Sequence, residues 1–337
     1  MILNRKHLTL FAAVLLAASV SAIPGPGTHY ATDAYPGFDS EAGILATPQK
    51  EPGLFWWSGP KMETPSDQLA WARACEADDS IRAARKAYEA LVAQWPSAPE
   101  AAVAQKALAD LEYGKARDYI QAFAEYKYLL DFYSAQCDYD AIAARLYETA
   151  KRMREAGKRI MFFPFANTTD VRRAFEAVVR RAPGAPYVAE AMLTVGELRE
   201  EEGYYERAIE VYENLRNRYA GTPEAKVALK REAAARMKVL SDHPYNRSRC
   251  QDTIAFLKMA QLSGPDSEFR TALTAWLAEA NALIEDEAYA AAKFYDSRTR
   301  TRRSAINAYE RFLNEYPAGV HADEARARLL TLQQEEK

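Results

Sequence analysis

Small and apolar residues recur with a helical spacing from residue 65 to residue 337. In each copy, a small residue is followed four positions later by an aromatic or aliphatic residue, and seven positions later by another hydrophobe. Positions i, i+4 and i+7 share one face of an α-helix, so each copy predicts a helix with one apolar face. A proline follows most copies, where the helix must end. The copies are Ala84–Tyr88–Leu91, Ala122–Tyr126–Leu129, Val171–Phe175–Val178 (with valine in the small position), Ala208–Tyr212–Leu215, Thr253–Leu257–Ala260 and Ala305–Tyr309–Phe312.

The clearest unit is the stretch 189–222, which is typical of two helices and a turn. Its spacing matches a tetratricopeptide repeat, with the bulky Met192 at position 4 and the small Gly196 and Ala208 at positions 8 and 20. Small residues there let two helices cross closely, and Gly203 falls where the first helix must turn back. Such a unit cannot bury its apolar face alone. The copies therefore predict an all-α, right-handed superhelical solenoid of about six helix pairs.

Two stretches interrupt the helical spacing. Residues 159–169 form an insert, and the segment Asn167–Asp170 is typical of the N-terminal cap of the helix that carries Phe175. Residues 241–249 form a second break, with Pro244 inside it. The alternative to stacked repeats is one irregular helical domain in which the same packing pattern recurs by chance.

The chain ahead of the helical region contains a signal and a leader. Residues 1–22 combine a basic start, an apolar run and a small-residue cleavage site, which predicts a secretory signal, with an uncleaved anchor as the alternative. Residues 23–64 are rich in Pro, Gly, Asp and Thr, which predicts an extended leader. The apolar cluster 54–57 is expected to cover the first repeat, or else to contact a partner or a membrane surface. Residues 65–160 then form N-terminal helical repeats, and residues 161–337 form tetratricopeptide repeats.

Composition and charge narrow the class of function. The chain has 337 residues, 49% of them hydrophobic, and a formal net charge of −3, which gives no indication of nucleic acid binding. The four histidines have no metal-ligand spacing, and no phosphate-binding loop or nucleophile motif occurs. We therefore expect no cofactor, no metal site and no enzyme activity. Cys75, Cys137 and Cys250 are odd in number and far apart, so buried free thiols are expected rather than a disulfide framework.

The first helix of a tetratricopeptide pair lines the concave groove through positions 2, 5, 9, 12 and 13. In the 189–222 repeat, these positions hold Glu190, Leu193, Glu197, Glu200 and Glu201. Four carboxylates on one face would favour basic or neutral extended segments and repel acidic tails. An ordinary charged helix surface is the alternative.

The last repeat provides a second candidate surface. Its groove positions include Phe294 and Arg298, and the following turn holds Arg300, Arg302 and Arg303. We expect Phe294 and its neighbour Tyr295 to lie in the core, with the groove as the alternative. The arginines predict either a contact with an acidic partner surface or a solvated turn.

The C-terminal half of the chain resembles a known family. The segment 286–330, with Tyr289, Phe294-Tyr295, Ala305-Ile306 and Tyr316-Pro317, is similar to the last repeat of the BamD-like family. This family is the tetratricopeptide lipoprotein of the bacterial outer-membrane β-barrel assembly machinery. The segment 252–287 resembles the preceding family repeat, and the whole resemblance spans roughly residues 165–330. The chain departs from the family in two ways: no cysteine for lipid attachment follows the signal, and about two repeats precede the family-like block.

The resemblance implies a non-catalytic scaffold in the periplasm, at the inner face of the outer membrane. Its C-terminal repeats would dock the barrel-inserting component, and its N-terminal repeats would hold unfolded outer-membrane protein segments. Without the lipidated cysteine, membrane association would be indirect. Two other classes stay open. One is a different periplasmic tetratricopeptide adaptor that coordinates cell-wall synthesis with envelope constriction, and the other is a helical-repeat enzyme such as a polysaccharide lyase or a glycosidase.

Overall fold

A computed structural model describes residues 59–159, 167–242, 246–263, 266–297 and 302–336, together with two short strands in the predicted leader. The strands β1 (Phe38–Asp39) and β2 (Ile44–Leu45) pair antiparallel, with Phe38 opposite Leu45. The predicted signal at 1–22 and the apolar cluster at 54–57 lie outside the described residues, as do Arg298 and Arg300.

The chain divides between Pro183 and Gly184 into two compact units. The helices of the first unit are α1 (Pro65–Ala77), α2 (Ile81–Gln94), α3 (Pro99–Leu111), α4 (Tyr119–Phe132), α5 (Tyr139–Arg159) and α6 (Thr168–Arg181). A π-helical turn (Glu112–Ala116) follows α3, and a 3-10 turn (Ser134–Gln136) follows α4. The helices of the second unit are α7 (Val188–Glu201), α8 (Tyr205–Arg218), α9 (Pro223–Asp242), α10 (Arg247–Leu262), α11 (Ser267–Asp296), α12 (Arg302–Glu315) and α13 (Ala322–Glu336).

Within each unit, every helix packs against its neighbours in sequence. We call the first helix of each pair an A helix (α1, α3, α5, α7, α9, α11) and the second a B helix (α2, α4, α6, α8, α10, α12). In the first unit α1 also contacts α3, and in the second α9 contacts both α7 and α11. Contact of an A helix with its own B helix and with the next A helix is typical of stacked tetratricopeptide-like pairs. The fold is therefore all-α and tetratricopeptide-like, and the described ranges between 59 and 336 contain six helix pairs followed by α13.

The predicted B-helix anchors form the core between the helices. All eighteen anchor residues of the six copies are at most 5% exposed, and the rings of Tyr88, Tyr126 and Tyr212 are fully buried. The i, i+4, i+7 prediction is confirmed for every copy, including the weak one at Thr253 and the one with Val171 in the small position.

The 189–222 repeat folds as its spacing predicts. A Cβ atom added at Gly196 would lie within 2.8 Å of three ring atoms of Tyr212, so only glycine allows α7 and α8 to approach this closely. Gly203 has a φ of +80°, which is the left-handed conformation that ends α7 before α8 begins.

The predicted breaks fall at helix ends that are capped by side chains. The Asn167 side chain accepts a hydrogen bond of 2.7 Å from the backbone N–H of Asp170, which confirms the predicted cap of α6. Asn246 caps α10 in the same way after the second break. At the start of the helical region, the Thr64 hydroxyl accepts from the backbone N–H of Asp67.

One long helix replaces a boundary that the resemblance placed near Asp286. The 30 residues of α11 run without interruption, and the sequence between 267 and 296 contains neither Gly nor Pro. At about 1.5 Å per residue the helix is roughly 45 Å long, so its two halves pack in two separate core clusters. Leu273 and Ala280 pack in a cluster with residues of α9 and α10, whereas Tyr289 packs in a second cluster with residues of α12 and α13.

Candidate protein-binding face

The predicted groove residues of α7 lie beside the next A helix, α9. One guanidinium nitrogen of Arg231 is 2.9 Å from Oε1 of Glu197, and another is 3.0 Å from Oε2 of Glu200. Arg231 follows Glu197 by one full repeat length, the same span as the stretch 189–222. Equivalent positions of α7 and α9 therefore lie side by side. We call this surface the α7–α9 face; its residues are Glu190, Leu193, Glu197, Glu200 and Glu201 of α7 and Glu224, Val227 and Arg231 of α9.

A network across three helices fixes Glu200. The buried Tyr212 on α8 donates a hydrogen bond of 2.6 Å from its hydroxyl to Oε1 of Glu200, and Arg231 of α9 binds the other carboxylate oxygen. Burial, followed by the hydrogen bond to Glu200, raises the pKa of Tyr212 well above its usual value. For Arg231, burial lowers the pKa, but the charge of Glu197 and other acceptors nearby more than offsets this. The network holds the Glu200 side chain in one orientation.

The hydrogen bond from a buried tyrosine to a carboxylate recurs in other repeats, and sequence reasoning missed it. In each case a B-helix tyrosine donates to an acidic residue of the preceding A helix. The pairs are Tyr88–Glu76 at 2.7 Å, Tyr126–Asp110 at 2.5 Å and Tyr309–Asp296 at 3.2 Å. Arg328 of α13 binds Asp296 at 2.7 and 2.8 Å, as Arg231 binds Glu200. A carboxylate 12 to 16 residues before each anchor tyrosine was the available sequence signal.

The α7–α9 face is less acidic than its α7 residues alone predict. Arg231 occupies Glu197 and Glu200, whereas Glu190 and Glu201 have exposed side chains. Between the acidic positions, Val227 is 41% exposed, and its counterpart Leu193 is partly exposed. The face therefore combines carboxylates, one internal guanidinium and a small apolar surface.

The expectation that Phe294 and Tyr295 join the core is wrong. Their side chains are 53% and 43% exposed, and their rings contact each other edge to face at 5.7 Å. The core-facing positions of this part of α11 are taken by Tyr289 and Ala292 instead. Residue 294 is turned about 200° from Ala292 around the helix, so Phe294 points away from the core face, whereas Tyr295, about 60° from Ala292, lies at the exposed edge of that face.

Of the arginines predicted to form a surface in the last repeat, Arg302 binds Glu335 of α13. Arg302 donates a hydrogen bond of 3.1 Å to the backbone carbonyl of Glu335 and is 3.7 Å from its carboxylate. Arg303 is exposed on α12. This surface belongs to the second half of α11 with α12 and α13, whereas α9 packs with the first half of α11. The structure therefore does not bring Arg302 or Arg303 to the carboxylates of α7.

His321 is held by contacts within the protein, and the three cysteines form no disulfide. His321 lies directly before α13, where its backbone N–H donates to Glu285 at 3.0 Å and its Nε2 atom is 2.8 Å from Asp286. Its ring also stacks on Tyr289 at 4.3 Å. All three cysteines are free thiols; Cys75 and Cys250 are buried, as expected, whereas Cys137 is partly exposed.

The described residues form neither a metal-ion site nor a membrane-spanning helix. Within the ranges given above, no cluster of three or more His, Cys, Asp or Glu side chains is arranged to hold a metal ion. Every helix of the described part is too short or too polar to cross a bilayer.

Comparison with known proteins gave structural neighbours only. A scan against protein families and a search of curated proteins each gave no match. Among solved structures, a Podosopora anserina protein with nearly identical TPR-like repeats is 15% identical with a TM-score of 0.28, over 61% of this chain and all of that one. A tetratricopeptide repeat protein from Parabacteroides merdae is 12% identical with a TM-score of 0.29, over 80% of this chain and 98% of that one. TM-scores this low carry no argument about family or function. The tetratricopeptide-like fold therefore rests on the helix contacts within this chain.

Proposed function

We propose that this chain is a non-catalytic scaffold of the bacterial cell envelope that binds partner and client protein segments on the A-helix faces of its repeats. In this proposal it acts in the periplasm as a relative of the BamD component of outer-membrane barrel assembly. The motifs of residues 286–330 support the family, and the signal-like residues 1–22 support export.

One observation carries the proposal: the A helices α7 and α9 of two successive pairs lie side by side in register. The Arg231–Glu197 contact links equivalent positions of α7 and α9 at 2.9 Å. Side chains at positions 2, 5 and 9 of both helices therefore form rows on one continuous surface. Such a surface suits an extended segment, which contacts several rows at once.

Affinity purification from envelope fractions tests this function. The full chain is purified with its bound proteins as wild type, as Val227→Asp on the α7–α9 face, and as Ala255→Asp on the exposed side of α10. We expect barrel-assembly components and outer-membrane protein segments to be recovered with wild type and Ala255→Asp, and to be depleted with Val227→Asp. Circular dichroism of the three proteins checks that each is folded.

Other outcomes of these experiments would contradict parts of the proposed function. Recovery of peptidoglycan synthases in place of barrel-assembly components would replace the proposal by the periplasmic adaptor. Equal recovery by all three proteins would exclude the α7–α9 face as the binding surface. Mass spectrometry of the mature N-terminus tests export: cleavage after Ala22 is expected, and an intact Met1 start in the purified protein would contradict it.

A further inference from the structure

We infer that a surface of the first unit, around Arg145 and Tyr113, binds extended segments in which a carboxylate lies next to an aromatic side chain. We call this surface the Tyr113 site; its residues are Tyr113, Tyr119, Arg145 and Arg152. The inference rests on the proposed function, and it names the chemistry of one class of segment that the repeats bind.

Arg145 occupies a position that binds a carboxylate in two other repeats. Arg145, Arg231 and Arg328 each lie on the helix that follows a B helix, 19 residues after the anchor tyrosine of that B helix. Arg231 binds Glu200 at 3.0 Å. Arg328 binds Asp296 at 2.7 and 2.8 Å. In these repeats the position therefore presents a guanidinium to a carboxylate.

The equivalent carboxylate beside Arg145 is already engaged by other groups. Asp110 accepts a hydrogen bond of 2.5 Å from Tyr126 on one oxygen, and Lys106 binds the other oxygen at 2.6 Å. Among the residues that the structure describes, none offers Arg145 a paired carboxylate. Its exposed guanidinium lies instead over the ring of Tyr113, 5.6 Å from the centroid. The N–H donors of Arg145 therefore remain available to a ligand.

Tyr113 lies in the π-helical turn that extends α3, and ion pairs and hydrogen bonds fix this turn. Glu112, fully buried in the turn, accepts from both Nε and Nη2 of Arg85 on α2, the latter at 2.6 Å. Lys115 donates to the backbone carbonyl of Glu76 at the end of α1, at 2.7 Å. Turns of this kind are frequent at functional sites. Because the turn is tied to α1 and α2, the backbone that carries the Tyr113 ring is held in place.

Two more side chains complete the Tyr113 site. Arg152 lies about two helical turns after Arg145 on α5; its guanidinium interacts with the Tyr113 hydroxyl and donates to Glu155 at 2.9 Å. Tyr119, at the start of α4, contacts the Tyr113 ring edge to face, with the centroids 5.7 Å apart. Both rings are partly exposed. The site therefore places an available guanidinium beside two aromatic rings.

The chemistry of the bound segment follows from this arrangement. A guanidinium that stacks on a ring keeps its N–H donors in its own plane, so Arg145 can bind a carboxylate with two hydrogen bonds while it stays over Tyr113. An aromatic side chain of the segment would pack against the exposed parts of Tyr113 and Tyr119. Successive residues of an extended chain advance about 3.3 Å, so an acidic and an aromatic residue one or two positions apart reach both groups.

Peptide binding to the purified full chain tests the inference. The probes are three labelled twelve-residue peptides with amidated C-termini and glycine–serine spacers: one with Glu–Phe pairs, one with Gln in place of Glu, and one with Ser in place of Phe. By fluorescence anisotropy we expect the Glu–Phe peptide to bind at least about tenfold more tightly than either of the others. Its affinity should fall severalfold when salt is raised from about 50 to about 300 mM, because the contact joins opposite charges.

Single variants locate the binding site. Arg145→Gln should weaken Glu–Phe binding about tenfold or more, and Arg145→Lys, which keeps the charge but not the paired donors, should recover only part of the loss. Tyr113→Leu should weaken binding severalfold. Arg328→Gln, the matched control, removes the arginine at the equivalent repeat position that binds Asp296, and it should leave peptide affinity unchanged. Circular dichroism checks that each variant is folded.

The remaining outcomes separate the inference from the proposed function. Equal binding of the Gln–Phe peptide, no binding of any peptide, or unchanged binding by Arg145→Gln overturns the inference. So does an equal loss of affinity in Arg145→Gln and Arg328→Gln. If wild type still recovers envelope partners and Val227→Asp does not, the proposed function stands without the Tyr113 site. If the peptides bind as expected and no envelope partner is recovered, the chemistry of the site stands and the proposed function falls.

Discussion

Gly196 provides the sharpest test of how the helix pairs pack. It lies on α7 opposite the fully buried ring of Tyr212, and a Cβ atom there would come within 2.8 Å of three ring atoms. In Gly196→Ala the ring must move, because both the methyl group and the backbone of α7 are fixed. The Tyr212 hydroxyl would then lose its 2.6 Å hydrogen bond to Glu200, which also binds Arg231.

Opposing effects decide whether Gly196→Ala raises or lowers the free energy of unfolding. Alanine in place of glycine within a helix stabilises by up to about 1 kcal/mol through backbone propensity. Overpacking of a close contact costs about 1–3 kcal/mol. Loss of a hydrogen bond to an ionised acceptor costs about 1.5–3 kcal/mol. The balance is a destabilisation of about 3 kcal/mol, so packing outweighs propensity.

Urea unfolding followed by circular dichroism measures the effect, and hydrogen exchange of the α7 and α8 amides localises it. Gly114→Ala in the helical turn after α3 is the control, because a Cβ there meets nothing within 4 Å; it should leave stability unchanged or raise it by up to about 1 kcal/mol. Replacing Tyr212 by Leu should relieve most of the cost of Gly196→Ala in the double variant. An unchanged or higher stability of Gly196→Ala would refute the close crossing of α7 and α8.

Three further predictions concern single contacts. Tyr212→Phe should lower the free energy of unfolding by about 1.5–2 kcal/mol, and titration of tyrosine absorbance should show one fewer phenol that ionises well above pH 10 than in wild type. Asn167→Ala should cost about 1 kcal/mol by removing the cap of α6 and Asn167→Ser far less; equal losses would contradict the cap. The hydrogen bond from Arg328 lowers the pKa of Asp296, so the stability it adds is present above about pH 3.9 and lost as the pH falls below it. The stability advantage of wild type over Asp296→Asn should therefore shrink between pH 5 and pH 3 in urea titrations.

Most of the fold could be predicted from the sequence, because the local hydrophobic patterns agree with the tertiary packing. Anchor residues such as Tyr88 and Tyr309 are buried where the helical spacing places the core. Asn167 caps α6 as the sequence predicts. The length of α11 was missed because the resemblance placed a repeat boundary where no residue ends a helix. The absence of Gly and Pro from 267 to 296 was the physical signal, and it favours one continuous helix.

The charge of the α7–α9 face was harder to predict, because it depends on two helices at once. Positions on α7 alone gave four carboxylates, whereas Arg231 comes from α9 and shares two of them. Comparing positions one repeat length apart would have revealed the pairing. Phe294 was misplaced because aromatic character favours burial, while the helical phase set by Tyr289 and Ala292 turns it outward.

Photocrosslinking in the native envelope tests the central claim most directly. A benzophenone amino acid replaces Val227 on the α7–α9 face in one strain and Ala255 on the exposed side of α10 in another. A scaffold that binds partner segments on its A helices should give discrete crosslinked proteins from position 227 and none from position 255. Crosslinks from position 255 alone, or from neither position in cells that make the folded protein, would contradict the account.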